Sequence, residues 1–199
     1  MKAKQTFSLL LLAVAMFGII GATAVEAGSY DRNAASKFAV DNALIKVSNS
    51  DFYLKNGGDC TNFVSNALKA GGWPQVGKYN YASYNSWYFE STWPTRYSRT
   101  WGGANNFYGF LYYSNRVSWV SGPSQLQIGD IVQMDGLGSS KPDNTWDHTM
   151  MVTGRNGNEL LFSYHSDTVA GFKKNEGMNA IVGRNPNAIF MGWHVKDTY

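Results

Sequence analysis

The only cysteine of this 199-residue chain, Cys60, lies in the segment Asp-Cys-Thr-Asn-Phe-Val-Ser-Asn-Ala-Leu. The apolar residues that follow it are spaced as one stripe of an amphipathic helix, which Gly71–Gly72 ends. Since Gly57–Gly58 leads in, Cys60 is predicted at a helix N-terminus behind a flexible loop. The partial positive charge and free N–H groups there favour a thiolate and can hold an oxyanion. We therefore predict a nucleophile with a depressed pKa; the structural alternative is a small buried hydrophobe.

Two histidines lie on the two strands of a predicted β-hairpin. A turn centred on Asn156-Gly157, a strong hairpin signal, places His148 opposite His165 with Cβ atoms about 5 Å apart. A cysteine nucleophile needs a base, and that base needs an orienting group. We predict His148 as the base and either His165 or Asp167 as the orienting residue. The register favours His165, the negative charge favours Asp167, and a one-residue slip would undo the pairing.

The residue types in this set are also those that bind zinc. Cys60, His148 and His165 would suit the metal by ligand type, but they lack the spacing of a metal-binding motif. The sequence therefore predicts neither a metal nor another cofactor. A hydrogen-bonded sheet residue is the structural alternative for each histidine, and His194 receives no role.

An aromatic segment covers residues 75–103 and shows no clear period. Long irregular segments inside a compact domain are often functional loops. We predict that this segment forms one wall of a substrate groove, with Trp87 and Trp93 among the substrate-binding residues. The alternative is a loop that is packed by its own aromatic side chains.

The elements that must position these residues run from helices to strands. Helical patterns cover residues 30–47, the cysteine segment and residues 104–113, with Asp31 as a plausible cap for the first. Strands are predicted at residues 131–134, 147–153, 159–166 and 189–195, with loop or weak strand at 167–186. Helices followed by an antiparallel meander indicate an α+β fold.

The first 27 residues read as a secretory signal peptide. Lys2 and Lys4 precede an apolar run, and Val25-Glu26-Ala27 resembles a cleavage site, with cleavage predicted after Ala27 or, as second choice, Ala24. The mature chain, residues 28–199, is predicted to be one domain that is secreted, extracellular or cell-wall associated, without a membrane span. Outside the cell, a lone cysteine indicates a working thiol or an intermolecular bridge.

The net charge and its distribution along the sequence limit the classes of binding partner that we expect. The formal net charge is +3, and charges of both signs are dispersed without a basic run, so no nucleic-acid partner is predicted. A mildly basic secreted protein would be drawn weakly to an anionic cell wall. Nothing in the sequence indicates the oligomeric state or an immunity or inhibitor partner.

Five motifs, taken in order, resemble the bacterial putative amidase domain family. That family looks like a branch of the papain-like superfamily of cell-wall peptidases and amidases, which includes CHAP and NlpC-type domains. The resemblance implies a papain-like fold in which the cysteine helix packs on a small antiparallel sheet. The motifs begin at Tyr30, Asp59, Ala70, Gly129 and Asp147 and read YDRNAA, DCTNFVS, AGGWP, GDIVQ and DHTMMV.

Carried over residue by residue, the resemblance implies Cys60 as nucleophile, His148 as base and His165 as the third polar residue. Asp59 and Thr61, which flank the cysteine, take orienting or substrate-binding roles. The prediction is a secreted cysteine amidase or peptidase that cleaves amide bonds in peptidoglycan or a peptide. The alternatives are a non-catalytic wall-binding module on the same fold and a secreted effector or toxin amidase that acts on another cell.

Overall fold

The computed structural model describes residues 28–92, 94–138 and 140–199, which form six α-helices and eight β-strands. The signal peptide predicted for residues 1–27 and the role predicted for Trp93 lie outside the described residues. The helices are α1 Arg32–Asn42, α2 Ser50–Lys55, α3 Cys60–Ala70, α4 Arg99–Gly102, α5 Ala104–Tyr113 and α6 Met178–Arg184. The strands are β1 Phe89–Glu90, β2 Arg96–Tyr97, β3 Val117–Val120, β4 Ile131–Asp135, β5 His148–Asn156, β6 Glu159–Tyr164, β7 Lys173–Gly177 and β8 Ile189–Val195.

Six of these strands form one sheet in the order β3-β8-β4-β5-β6-β7, and every neighbouring pair is antiparallel. Strands β1 and β2 form a separate two-stranded sheet. Together with the helices that precede the sheet along the chain, this arrangement confirms the predicted α+β fold. No helix in the described ranges combines the length and the apolar character that crossing a membrane would require.

The sheet is a middle layer because alternate residues of β5 face two different cores. Met151 packs in a core with the apolar residues of α1, α3 and α5. Met150 and Val152 point the other way and pack with Val132, Phe162 and Ile181, the last of which lies on α6. We call these the helical core and the α6 core.

Helix α3 begins and ends where its sequence predicts. Phe63 and Leu68 belong to a stripe that is fully buried in the helical core, and this burial stabilises the helix more than propensity can. The backbone N–H of Gly71 donates to the carbonyl of Ala67, and Gly72 has a φ of +97°, a value that favours glycine. The local pattern therefore fixes both the helix and the position of Cys60 at its first residue.

The prediction that Trp87 of the aromatic segment lines a substrate groove is wrong. Trp87 has no exposed surface, its ring lies 4.6 Å from that of Trp101, and its Nε1 donates to Ser65 Oγ at 3.0 Å. Trp87 is therefore a residue of the helical core and cannot form the wall of an open groove. Tyr79, Tyr81 and Tyr84 from the same segment are exposed.

Three of these elements differ from their sequence prediction. Residues 167–186 contain β7 and α6, where the sequence predicts loop or weak strand, because β7 is a polar edge strand that carries little apolar signal. Helix α1 ends at Asn42, five residues before the predicted end at Val47. Its predicted cap is confirmed, since the Asp31 side chain accepts a hydrogen bond from the Ala34 backbone N–H.

Candidate active site

Cys60 is the first residue of α3, and its buried side chain is held against β5. Its sulfur lies 3.7 Å from Thr61 Oγ1 and accepts a hydrogen bond from the backbone of Thr149. Thr61 Oγ1 in turn lies 2.9 Å from Thr149 Oγ1, so the two threonines pin the start of the helix to the strand. Thr149 directly follows His148, and the predicted nucleophile therefore contacts the residue next to the predicted base. Thr61 anchors the cysteine rather than facing an open surface.

The ionisation of Cys60 differs from the sequence prediction. Burial raises the pKa of the thiol, and the Asp59 carboxylate raises it further, while hydrogen bonds from Thr61 and Thr149 lower it only in part. A helix N-terminus favours the thiolate, but desolvation opposes any charged form. In this structure desolvation has the larger effect, and the resting sulfur is a neutral thiol.

The hairpin that carries the histidines has a different register from the predicted one. Asn156 pairs with Glu159, so the turn lies one residue further along the chain than predicted, with Gly157 at a φ of +59°. A bulge between Val152 and Gly154 shifts the register again, and Met151 pairs with Ser163. Two residues further, Thr149 rather than His148 aligns with His165. The two imidazoles therefore face opposite sides of the sheet, and the predicted His148–His165 pairing is wrong.

His165 lies on the α3 side of the sheet, where both its ring nitrogens are already bonded. Nδ1 is 2.5 Å from Asp59 Oδ2, and Nε2 is 3.1 Å from the carbonyl oxygen of Asn42. The ring is fully buried and stacks between Phe63 and Phe172, with centroid distances of 4.1 Å and 3.5 Å. Because the carbonyl can only accept, Nε2 carries a proton. His165 has no nitrogen left to orient His148 or to receive a proton from Cys60.

Asp59 positions the start of α3 from inside the protein. Its Oδ2 also accepts from Ser50 Oγ at 2.6 Å, and its Oδ1 accepts from Asn62 Nδ2 at 2.6 Å. Asp59 occupies the N-cap position, but its carboxylate makes no capping bond to the helix. The backbone N–H groups in the first turn of α3 are therefore not taken by this side chain, and they point toward the end where Cys60 lies.

His148 is the first residue of β5, and its side chain lies on the face opposite α3. The ring is almost fully buried and packs edge-on against Tyr164, with a centroid distance of 4.9 Å. Within the described ranges, neither of its ring nitrogens makes a hydrogen bond. Burial lowers the pKa of His148 to about 4, against a smaller opposing effect of Asp147. At neutral pH the imidazole is therefore uncharged, and the same burial makes it a weak base in this conformation.

A cavity of about 890 Å³ opens in front of His148, between the sheet and α6. Asp167 lies on its wall, and a Cβ placed on Gly58 would be 3.7 Å from Asp167 Oδ1. Asp167 thus lies between the cavity and the loop before Cys60, and it makes no hydrogen bond to His148 among the described residues. The cavity wall includes His148, Tyr164, Asp167, Lys173, Ile181 and Arg184.

The structure thus brings the predicted site residues to one end of the sheet but not into one hydrogen-bonded chain. No hydrogen bond joins the Cys60 sulfur to a ring nitrogen of His148 in the part of the chain that is described, because the β5 backbone separates them. The arrangement supplies a neutral thiol at a helix N-terminus and a neutral imidazole on the other face of β5. These are the two components of general-base nucleophilic catalysis.

His194 belongs to a different cluster, at the other end of β4. Its Nδ1 is 3.1 Å from Asp130 Oδ2, and Arg32 Nη1 is 2.7 Å from Asp130 Oδ1. Tyr30 OH donates to the carbonyl of Gly129 at 2.7 Å. The YDRNAA and GDIVQ motifs therefore bind each other and support the fold. Among the residues described, no three His, Cys, Asp or Glu side chains are grouped so that they could hold a metal ion.

The buried imidazole of His148 predicts a loss of stability in acid. Its pKa is about 4 in the folded protein and about 6.5 when unfolded, so the unfolded chain binds more protons between these values. The contribution of His148 to the free energy of unfolding is fully present above about pH 6.5 and is lost as the pH falls to about 4. The total loss is about 3 kcal/mol. Urea unfolding at pH 7 and pH 4.5 should show a larger loss for the wild type than for His148→Gln. Equal losses would contradict a buried neutral imidazole.

Comparison with known proteins gives three findings. A family model described as "Putative amidase domain" matches residues 29–191. The uncharacterized protein YjcM of Bacillus subtilis (strain 168) is 33% identical over 150 residues, which cover 72% of this chain. The chain spans about a third of that relative's length, 32%. No solved structure matches the chain, so the papain-like fold stays a prediction.

Proposed function

Because the chain belongs to the putative amidase domain family, we propose that it is a cysteine-dependent hydrolase of amide bonds, with Cys60 as nucleophile and His148 as general base. One observation carries the choice of base among the three histidines of the sequence. His165 and His194 each have both ring nitrogens near hydrogen-bonding partners. His148 has neither nitrogen engaged among the described residues, and it faces a cavity.

The proposed reaction has two steps. The Cys60 thiol gives its proton to His148 as the sulfur attacks the carbonyl carbon, and backbone N–H groups at the start of α3 stabilise the oxyanion. The C–N bond then breaks, and the leaving amine takes the proton from the imidazolium, which leaves a thioester on Cys60. Water, deprotonated by His148, attacks the thioester and releases the carboxylic acid and the free thiol.

This chemistry requires the sulfur and the imidazole to meet. In unliganded enzymes, catalytic hydrogen bonds are often long or absent and tighten only when substrate is bound. His148 is the first residue of β5, so its ring lies at a strand end, and the proposed reaction requires this end of the strand to rearrange when substrate binds. Asp167, on the cavity wall beside Gly58, is placed to stabilise the imidazolium during that approach.

The substrate and location in this proposal come from the sequence. The signal-peptide pattern supports secretion, and the resemblance to cell-wall hydrolases supports peptidoglycan amide bonds as the substrate. A wall-binding module without turnover is the rival function, as is an effector amidase directed at another cell. An imidazole that makes no hydrogen bond to any described residue and faces a cavity, together with the only cysteine of the sequence at a helix N-terminus, favours turnover over binding alone.

Purified peptidoglycan from several bacteria provides the test. The chain from Gly28 onward should release new amino and carboxyl termini, which mass spectrometry of the soluble products identifies, and Cys60→Ala should release none. Sedimentation with the insoluble wall, without new termini, would indicate the binding module. Equal release by the wild type and Cys60→Ala would contradict a cysteine mechanism, and cleavage restricted to foreign walls would favour the effector.

A further inference from the structure

A row of side chains crosses the cavity face of the sheet from β5 to β7. The His148 ring packs against Tyr164 of β6, and Tyr164 is the direct cross-strand partner of Lys173 on β7. Direct partners project to the same face, so Lys173 stands on the face of His148 and lines the same cavity. Two strand spacings of about 4.8 Å separate the two backbones by about 10 Å.

Lys173 has no close ion-pair partner among the described residues. Arg184, the other cation of the cavity wall, pairs with Glu176 at 2.5 Å and donates to Tyr164 OH at 3.1 Å. Lys173 is half-buried, and the acid whose pKa it helps to lower, Glu176, is already bonded to Arg184 and Tyr164. Partial burial of an unpaired ammonium group is unfavourable, and an anion that enters the cavity would relieve that cost.

The charges on the cavity wall also favour one orientation of a bound substrate. Asp167 lies at the end near Gly58 and the nucleophile, where its carboxylate repels an anionic group. Lys173 lies on the opposite side of Tyr164 from His148. A substrate with a carboxylate is therefore favoured in one orientation, with its acid at β7 and its cleaved bond at His148.

We propose that Lys173 is an anion subsite, which binds a carboxylate of the amide substrate at a distance from the scissile bond. This inference rests on the proposed function and names the substrate class as an acidic peptide. An extended chain advances about 3.4 Å per residue, so the carboxylate belongs within about three residues of the cleaved amide.

Neighbouring lysines provide a matched pair of variants. Lys174 is exposed and projects to the other face of β7, so Lys174→Met removes the same charge without touching the cavity. Binding is measured by calorimetry in a Cys60→Ala background, with soluble muropeptides as the probe. One sample keeps its carboxylates, and in the other they are converted to carboxamides.

The Cys60→Ala protein should bind the free acids at least tenfold more tightly than the carboxamides. Adding Lys173→Met should abolish this preference, whereas Lys173→Arg and Lys174→Met should retain it. Loss of the preference in both Met variants, equal binding of the two samples, or no binding of either would overturn the subsite. Since no turnover is needed, a protein that prefers the acids but cleaves nothing would reject the proposed hydrolase and keep the subsite.

Discussion

His148→Ala is expected to lower kcat on an amide substrate by about 10²- to 10⁴-fold, the usual contribution of a general base. The imidazole is uncharged at neutral pH because its pKa is about 4, and it is the histidine whose nitrogens no described residue engages. Initial rates on peptidoglycan, or on a soluble fragment once the cleaved bond is known, give the measurement. Added imidazole should restore part of the rate, since the alanine leaves space in the cavity wall.

His194→Ala is the control for this substitution. His194 bonds to Asp130 outside the cavity, and its loss should leave kcat near the wild-type value in protein that remains folded. Retained activity in His148→Ala, with no response to imidazole, would show that another group removes the thiol proton. The choice of base, and with it the role given to the cavity, would then be wrong.

Asp59→Ala and His165→Ala are each expected to lower the free energy of unfolding by about 3–5 kcal/mol, because each leaves a buried partner uncompensated. The two side chains have no exposed surface, and their polar atoms are 2.5 Å apart. Urea unfolding at pH 7 gives the free energies. The double variant should lose less than the sum of the single losses, since the second change removes an already isolated group.

Asn42→Ala is the matched control, because His165 contacts its backbone carbonyl and not its side chain. It should change stability far less than either member of the pair. Additive losses in the double variant would mean that Asp59 and His165 act independently. A large loss of kcat in His165→Ala with normal stability would instead restore a direct catalytic role for His165.

Local patterns in the sequence predict the elements of the site well. The apolar stripe and the glycines that flank it lie within a few residues of each other, so they fix the bounds of α3 and the place of Cys60. The histidine pairing could not be predicted in the same way. A turn displaced by one residue and a bulge after Val152 carry no distinct sequence signal, and a one-residue slip transfers every side chain to the other face.

Properties that depend on tertiary burial were the least predictable. Trp87 and the exposed tyrosines belong to one segment of similar composition, and only packing against Trp101 separates core from surface. The pKa of Cys60 shows the same limit. A helix N-terminus can be recognised from sequence, whereas the desolvation that outweighs it depends on which strands later cover the sulfur.

The bond between Asp59 and His165 joins residues that are 106 positions apart in the chain. Helix α3 is local and can form early, but closing a loop of that length is slow, and so the surroundings of Cys60 are completed late in folding. Until β5 and β6 dock against α3, the thiol lacks the burial that raises its pKa and limits access to it. Cys60 is thus most vulnerable to oxidation before folding is complete, and formation of the full sheet protects it.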